Sequence, residues 1–122
     1  MRVLITDDSK AMRMIVLRSL RQTGLDIDET MEAADGQEGL AAVTSFRPDL
    51  ILSDWNMPNM TGIEALKKIK ADAALKAVPV IMVTSESEKT KIIEAIQAGA
   101  ANYIVKPFQS EVLQEKISAV LK

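Results

Sequence analysis

Leu50-Ile51-Leu52-Ser53-Asp54 is an apolar run that stops on a carboxylate, and Val3-Leu4-Ile5-Thr6-Asp7-Asp8 stops on two of them. Short, near-continuous apolar runs of this kind read as strands covered on both faces, as parallel sheets require. In an open α/β sheet the carboxyl ends of such strands lie at one edge, where ligands bind. If both runs belong to one sheet, Asp7, Asp8 and Asp54 crowd a single crevice. Like charges so close oppose one another's ionisation, so the cluster calls for a bound cation or for raised pKa values.

Outward from these two runs, further apolar or mixed stretches occupy residues 30–33, 78–84 and 103–105. Helical spacings separate them. Met12, Ile15, Val16 and Leu20 fall at i, i+3, i+4 and i+8, Ile92, Ile93 and Ile96 share a face, and Leu113, Ile117, Val120 and Leu121 fall at i, i+4, i+7 and i+8. Leu40 and Val43 mark one more amphipathic segment. Ile63, Leu66 and Ile69 mark another, opened by the capping-box sequence Thr61-Gly62-Ile63-Glu64. Gly24, Gly36, Pro48, Pro79, Gly99 and Pro107 fall at the junctions, where chain-reversing residues belong. Five strand-then-helix units predict an α/β domain: a doubly wound five-stranded parallel sheet with five helices. The mixed character of residues 30–33 suits a strand at the sheet edge.

The 122 residues form one domain, 1–122, with 48% hydrophobic and 26% charged side chains. A net charge of −2 offers no basic field for nucleic acid, and protein or small-anion partners fit better. With no cysteine and no histidine, the chain can build no disulfide, thiolate metal site, Ser-His-Asp triad, HExxH zinc site or phosphohistidine of its own. Any metal must be a hard cation on oxygen ligands, magnesium, calcium or manganese before zinc. Acidic Asp7-Asp8 stands where a signal peptide would be apolar, and no run reaches membrane-spanning length. The reading is a cytoplasmic protein with no membrane partner. The seven methionines, Met12, Met14 and Met60 among them, read as filler rather than as a binding device. No G-x-G-x-x-G follows the first strand, which argues against a dinucleotide site.

Each candidate residue also has an ordinary explanation. An acid before a helix is often its N-cap, which would account for Asp7 or Asp8, although Ser9 can cap instead. A carboxylate ending a buried strand and followed by Trp55-Asn56-Met57-Pro58 adds little to stability, so Asp54 reads as a site residue. Thr84 suits a strand by propensity alone, yet its hydroxyl at that edge can donate to an anion. Lys106, alone, would be a solvated turn lysine. Taken together, strand ends carrying acids for a metal, a hydroxyl, and an ammonium for an oxyanion suit phosphoryl transfer to a carboxylate acceptor.

The motifs Asp7-Asp8-Ser9, Ser53-Asp54-Trp55-Asn56-Met57-Pro58-Asn59-Met60 with Gly62, Val83-Thr84-Ser85-Glu86, and Tyr103 through Lys106-Pro107-Phe108 together resemble response-regulator receiver domains. The resemblance spans the chain and is strongest to the stand-alone chemotaxis receivers. It implies a flavodoxin-like strand order of 2-1-3-4-5. It further implies that Asp54 accepts a phosphoryl group from a histidine kinase, with Mg²⁺ held by Asp8, Asp54 and the Asn56 backbone carbonyl, and by Asp7 mainly through water. By the same resemblance Lys106 pairs with phosphoryl oxygens, and Thr84 and Tyr103 form the switch. Asn56 and Glu86 then tune dephosphorylation, and the Lys106-Pro107 bond is cis. Ser85, where alanine is common, departs from the pattern only slightly. The chain is then a monomeric signalling switch that catalyses only its own phosphorylation and slow dephosphorylation. Lacking an output domain, it would act on a downstream protein target, a flagellar motor switch protein in a chemotaxis pathway, and be reset by a phosphatase. Alternatives are a receiver from a non-chemotaxis phosphorelay, one cut from a larger regulator, or an aspartyl-phosphate phosphatase. The last is disfavoured because such enzymes carry D-x-D after the first strand, whereas Asp54-x-Asn56 follows the third.

Overall fold

The computed structural model describes residues 1–85 and 88–121. Five strands alternate with five helices: β1 (Arg2–Thr6), α1 (Lys10–Gln22), β2 (Glu29–Ala33), α2 (Gly36–Phe46), β3 (Leu50–Ser53), α3 (Gly62–Ala71), β4 (Val80–Thr84), α4 (Lys89–Gln97), β5 (Asn102–Val105) and α5 (Ser110–Val120). All pairings are parallel, in the order β2-β1-β3-β4-β5. The mixed β2 lies at an edge, as its composition suggests. Period-two alternation splits the strands' side chains between two cores. Val3, Ile5, Leu50, Leu52, Ile81, Val83 and Ile104 meet α1 and α5, while Leu4, Ile51, Val80, Met82 and Tyr103 meet α2, α3 and α4.

Local chemistry fixes the element ends. Ser9, not either aspartate, caps α1 by accepting from the Met12 amide at 3.2 Å, so the capping explanation for Asp7 and Asp8 falls away. Thr61 and Glu64 close a reciprocal capping box at α3. β4 begins at Val80 rather than 78, since Pro79 has no N–H to give a ladder and offers only its carbonyl, to Ile51 at 3.0 Å. The helical spacings named the helices correctly but not always the covered face. Ile15, Ile93 and Ile96 are 46%, 44% and 47% exposed, and α4 seats only Ala95 fully against the sheet. No helix among the described residues is long and apolar enough to cross a membrane.

Candidate functional site

Sheet register assembles the site. Thr6 of β1 pairs with Ser53 of β3, so the next residues, Asp7 and Asp54, leave adjacent strands side by side. The Asp54 amide donates to the Thr6 carbonyl at 2.9 Å, and the Asp7 amide to Ala33 at 3.0 Å. Thr84 pairs with Val105, and the Lys106 amide donates back to the Thr84 carbonyl at 2.9 Å. Five residues chosen from strand ends therefore do converge. Carboxylate oxygens of Asp7, Asp8 and Asp54 lie within 4.8 Å of one another.

Burial and charge within the group are uneven. Asp7 is 3% and Asp54 9% exposed, whereas Asp8 is open to solvent. The Lys106 ammonium donates to Asp7 Oδ2 at 2.7 Å and stands 3.7 Å from Asp54 Oδ2. The Ser9 amide donates to Asp7 Oδ1 at 2.9 Å, and the Trp55 amide to Asp54 Oδ1 at 2.8 Å. Burial pushes the Asp54 carboxyl above the usual range. The Thr84 hydroxyl bond and Lys106 oppose that shift, the neighbouring Asp7 charge reinforces it, and the Trp55 amide opposes it. With all three carboxylates ionised against one ammonium, two negative charges go uncompensated, which is the charge of one divalent cation. A set of hard carboxylate oxygens, one of them solvent-facing, suits Mg²⁺, which keeps several of its waters and takes few protein ligands.

A second circle of residues surrounds this core. Arg13 reaches from α1 to donate to the Asp7 carbonyl at 2.7 Å while pairing with Glu32 at 2.9 Å, and so steadies the turn that carries the acids. Asn56 is exposed on the β3–α3 loop, and Tyr103 is 6% exposed and packed in the α2–α3–α4 core. Trp55 is buried beside Asp54, with the Lys91 ammonium of α4 5.1 Å above its ring. Glu86 lies outside the described residues. The Lys106-Pro107 bond is cis, in keeping with the resemblance.

Sequence reasoning passed over the contacts of Asp35. This carboxylate is 7% exposed, caps α2, and accepts from the Asn59 side-chain amide at 2.8 Å. Asp-Gly ahead of a helical segment announced the cap, but nothing local announced that a loop from β3 would reach it.

The family model for the response regulator receiver domain matches residues 3–118. Chemotaxis protein CheY of Pseudomonas aeruginosa is 46% identical, the alignment covering 100% of this chain and 97% of that one. Chemotaxis protein CheY-3 of Vibrio cholerae is 45% identical over 100% of this chain and 92% of its own length. Among solved structures, the chemotaxis response regulator CheY4 of Vibrio cholerae superposes with a TM-score of 0.83 at 38% identity, covering 98% of this chain and 97% of the other.

Proposed function

This chain belongs to the response regulator receiver family, and from that premise we propose that it is a chemotaxis switch whose Asp54 accepts a phosphoryl group from a partner histidine kinase in a Mg²⁺-dependent reaction. The observation that carries the reading is the convergence of Asp7, Asp8, Asp54, Thr84 and Lys106 at one edge of the sheet. In the transfer, an Asp54 carboxylate oxygen bonds to phosphorus as the bond to the donor imidazole nitrogen breaks, and the electron pair leaves with that nitrogen. Asp8, Asp54 and the Asn56 carbonyl would hold the cation, and Asp7 would act through water. Mg²⁺ held there would supply neutralisation of charge on the phosphoryl oxygens, the main requirement of a transition state with little covalent chemistry for the protein to do. Lys106, now on Asp7, offers its ammonium to one of those oxygens.

Thr84 and Tyr103 turn this chemistry into a signal. A phosphoryl group supplies new acceptor oxygens beside the Thr84 hydroxyl, so the hydroxyl exchanges Asp54 for the phosphate and draws the end of β4 inward. Tyr103 sits on β5, the strand paired with β4, and follows. The two-state element is the face of α4, β5 and α5, whose Ile93, Ile96, Val105 and Val112 are all more than a third exposed. Such open apolar side chains suit a protein target, here a component of the flagellar motor switch, with a phosphatase resetting the cycle. Asn56 and Glu86 tune how long the acyl phosphate lasts.

Trp55, the sole tryptophan, gives the test. Acetyl phosphate or beryllofluoride with Mg²⁺ changes its emission in the wild type and leaves it unchanged in Asp54→Asn. A wild-type protein whose emission does not respond overturns the reading.

A further inference from the structure

The loop from Asp54 to α3 is pinned at both ends. At its base, the Gly62 amide donates to the Trp55 carbonyl at 2.8 Å, and a Cβ on Gly62 would stand 1.8 Å from the Asp54 carbonyl oxygen. At its tip, the contacts run to the start of α2. The Gly36 amide donates to the Met60 carbonyl at 3.0 Å, and a Cβ on Gly36 would lie 2.3 Å from that same oxygen. Beside it, Asn59 holds a left-handed backbone at φ 65° and aims its amide at Asp35 Oδ2, 2.8 Å away. Asparagine tolerates that conformation better than most residues.

α2 is a firm anchor for the tip. Asp35 Oδ1 is already committed to the Glu38 amide at 2.7 Å, which orients the carboxylate so that Oδ2 faces the loop. The helix lies so close on β1 that a Cβ at Gly39 would stand 3.1 Å from Thr6. Asp7 itself bonds to Ala33, two residues before Asp35. The pair Asp35 and Asn59 therefore ties the loop bearing Asn56 to the start of α2, which packs on the end of β1 that delivers Asp7 and Asp8.

We propose that Asp35 and Asn59 are positioning residues for the divalent-cation site: their hydrogen bond sets the β3–α3 loop, and with it the Asn56 backbone, in register with the acids on β1. This rests on the reading of the site given above. Partners lying behind metal ligands are commonly worth roughly 10-fold or more in affinity, because they fix the geometry a cation would otherwise have to impose.

Calorimetric titration of the full chain with Mg²⁺ alone tests it, alongside thermal melts. Asn59→Gly deletes the amide yet keeps the left-handed backbone accessible, and it weakens Mg²⁺ roughly 10-fold. Exchanging the pair, Asp35→Asn with Asn59→Asp, swaps donor and acceptor at constant net charge and restores wild-type affinity. A merely structural role would lower the melting temperature of Asn59→Gly and leave its Mg²⁺ affinity alone. Wild-type Mg²⁺ affinity in Asn59→Gly, or an exchanged pair as weak as the glycine variant, overturns the inference. A wild-type chain that binds no Mg²⁺ overturns instead the site reading beneath it.

Discussion

At the scale of single residues, Asp54 is a carboxylate held where a carboxylate is costly. Burial and the Asp7 charge raise its pKa, and Thr84 and Lys106 only partly answer them. A carboxyl raised by folding adds most stability below its unfolded pKa, and loses that contribution as pH rises through the folded value. Above that folded value and without metal, ionised Asp54 therefore counts against the fold. Asp54→Asn keeps the shape and removes the charge, so it is expected to stabilise the metal-free protein by about 1 kcal/mol, or about 4 °C in a thermal melt. An unchanged or lower melting temperature would show that Lys106 already compensates the charge in full. The acids, Thr84 and Lys106 were legible in the sequence because each ends a strand, and strand ends of a parallel sheet share an edge. Arg13 on the Asp7 carbonyl, Asn59 on Asp35 and Lys91 over Trp55 were not. Those contacts reach between segments with no ladder between them, so no periodicity or register encodes who meets whom.

At the scale of elements, the site depends on close backbone approach as much as on side chains. α3 starts directly against the end of β3, with no space for a Cβ at Gly62. Gly62→Ala must push either the helix start or the Asp54 carbonyl aside, and overpacking of this kind costs about 2 kcal/mol. The expected result is a lower melting temperature together with weaker Mg²⁺ binding; an unaltered melt would mean that the helix start yields freely. Helix identities, the Thr61–Glu64 capping box and the edge position of β2 were all readable from spacing and composition. Which apolar stripe gets covered was not. Ile93 and Ile96 repeat at helical spacing and yet face solvent, because α4 meets the sheet through Ala95 and partly through Ile92. A periodic pattern announces a helix with an apolar face, whether that face meets the core or a partner.

At the scale of the whole molecule, the sheet concentrates acidic side chains at one edge, where a divalent cation would balance their charge. A ligand that binds only the folded state stabilises it by mass action, so Mg²⁺ at about 100 times its Kd should add about 2.7 kcal/mol. Because the cation needs ionised carboxylates, that increment fades as pH falls through the raised pKa of Asp54. Without Mg²⁺ the Asp54 contribution runs the opposite way. Melts with and without Mg²⁺ should therefore converge toward acid pH, and a gap that persists there would place the ion elsewhere. The most direct check remains the covalent one. Intact-mass spectrometry after exposure to acetyl phosphate should show one added phosphoryl group on the wild type with Mg²⁺, and none after chelation of the metal or in Asp54→Asn. A full mass gain on Asp54→Asn would contradict the assignment of Asp54 as acceptor, and no gain on the wild type would contradict phosphoryl transfer to this site altogether.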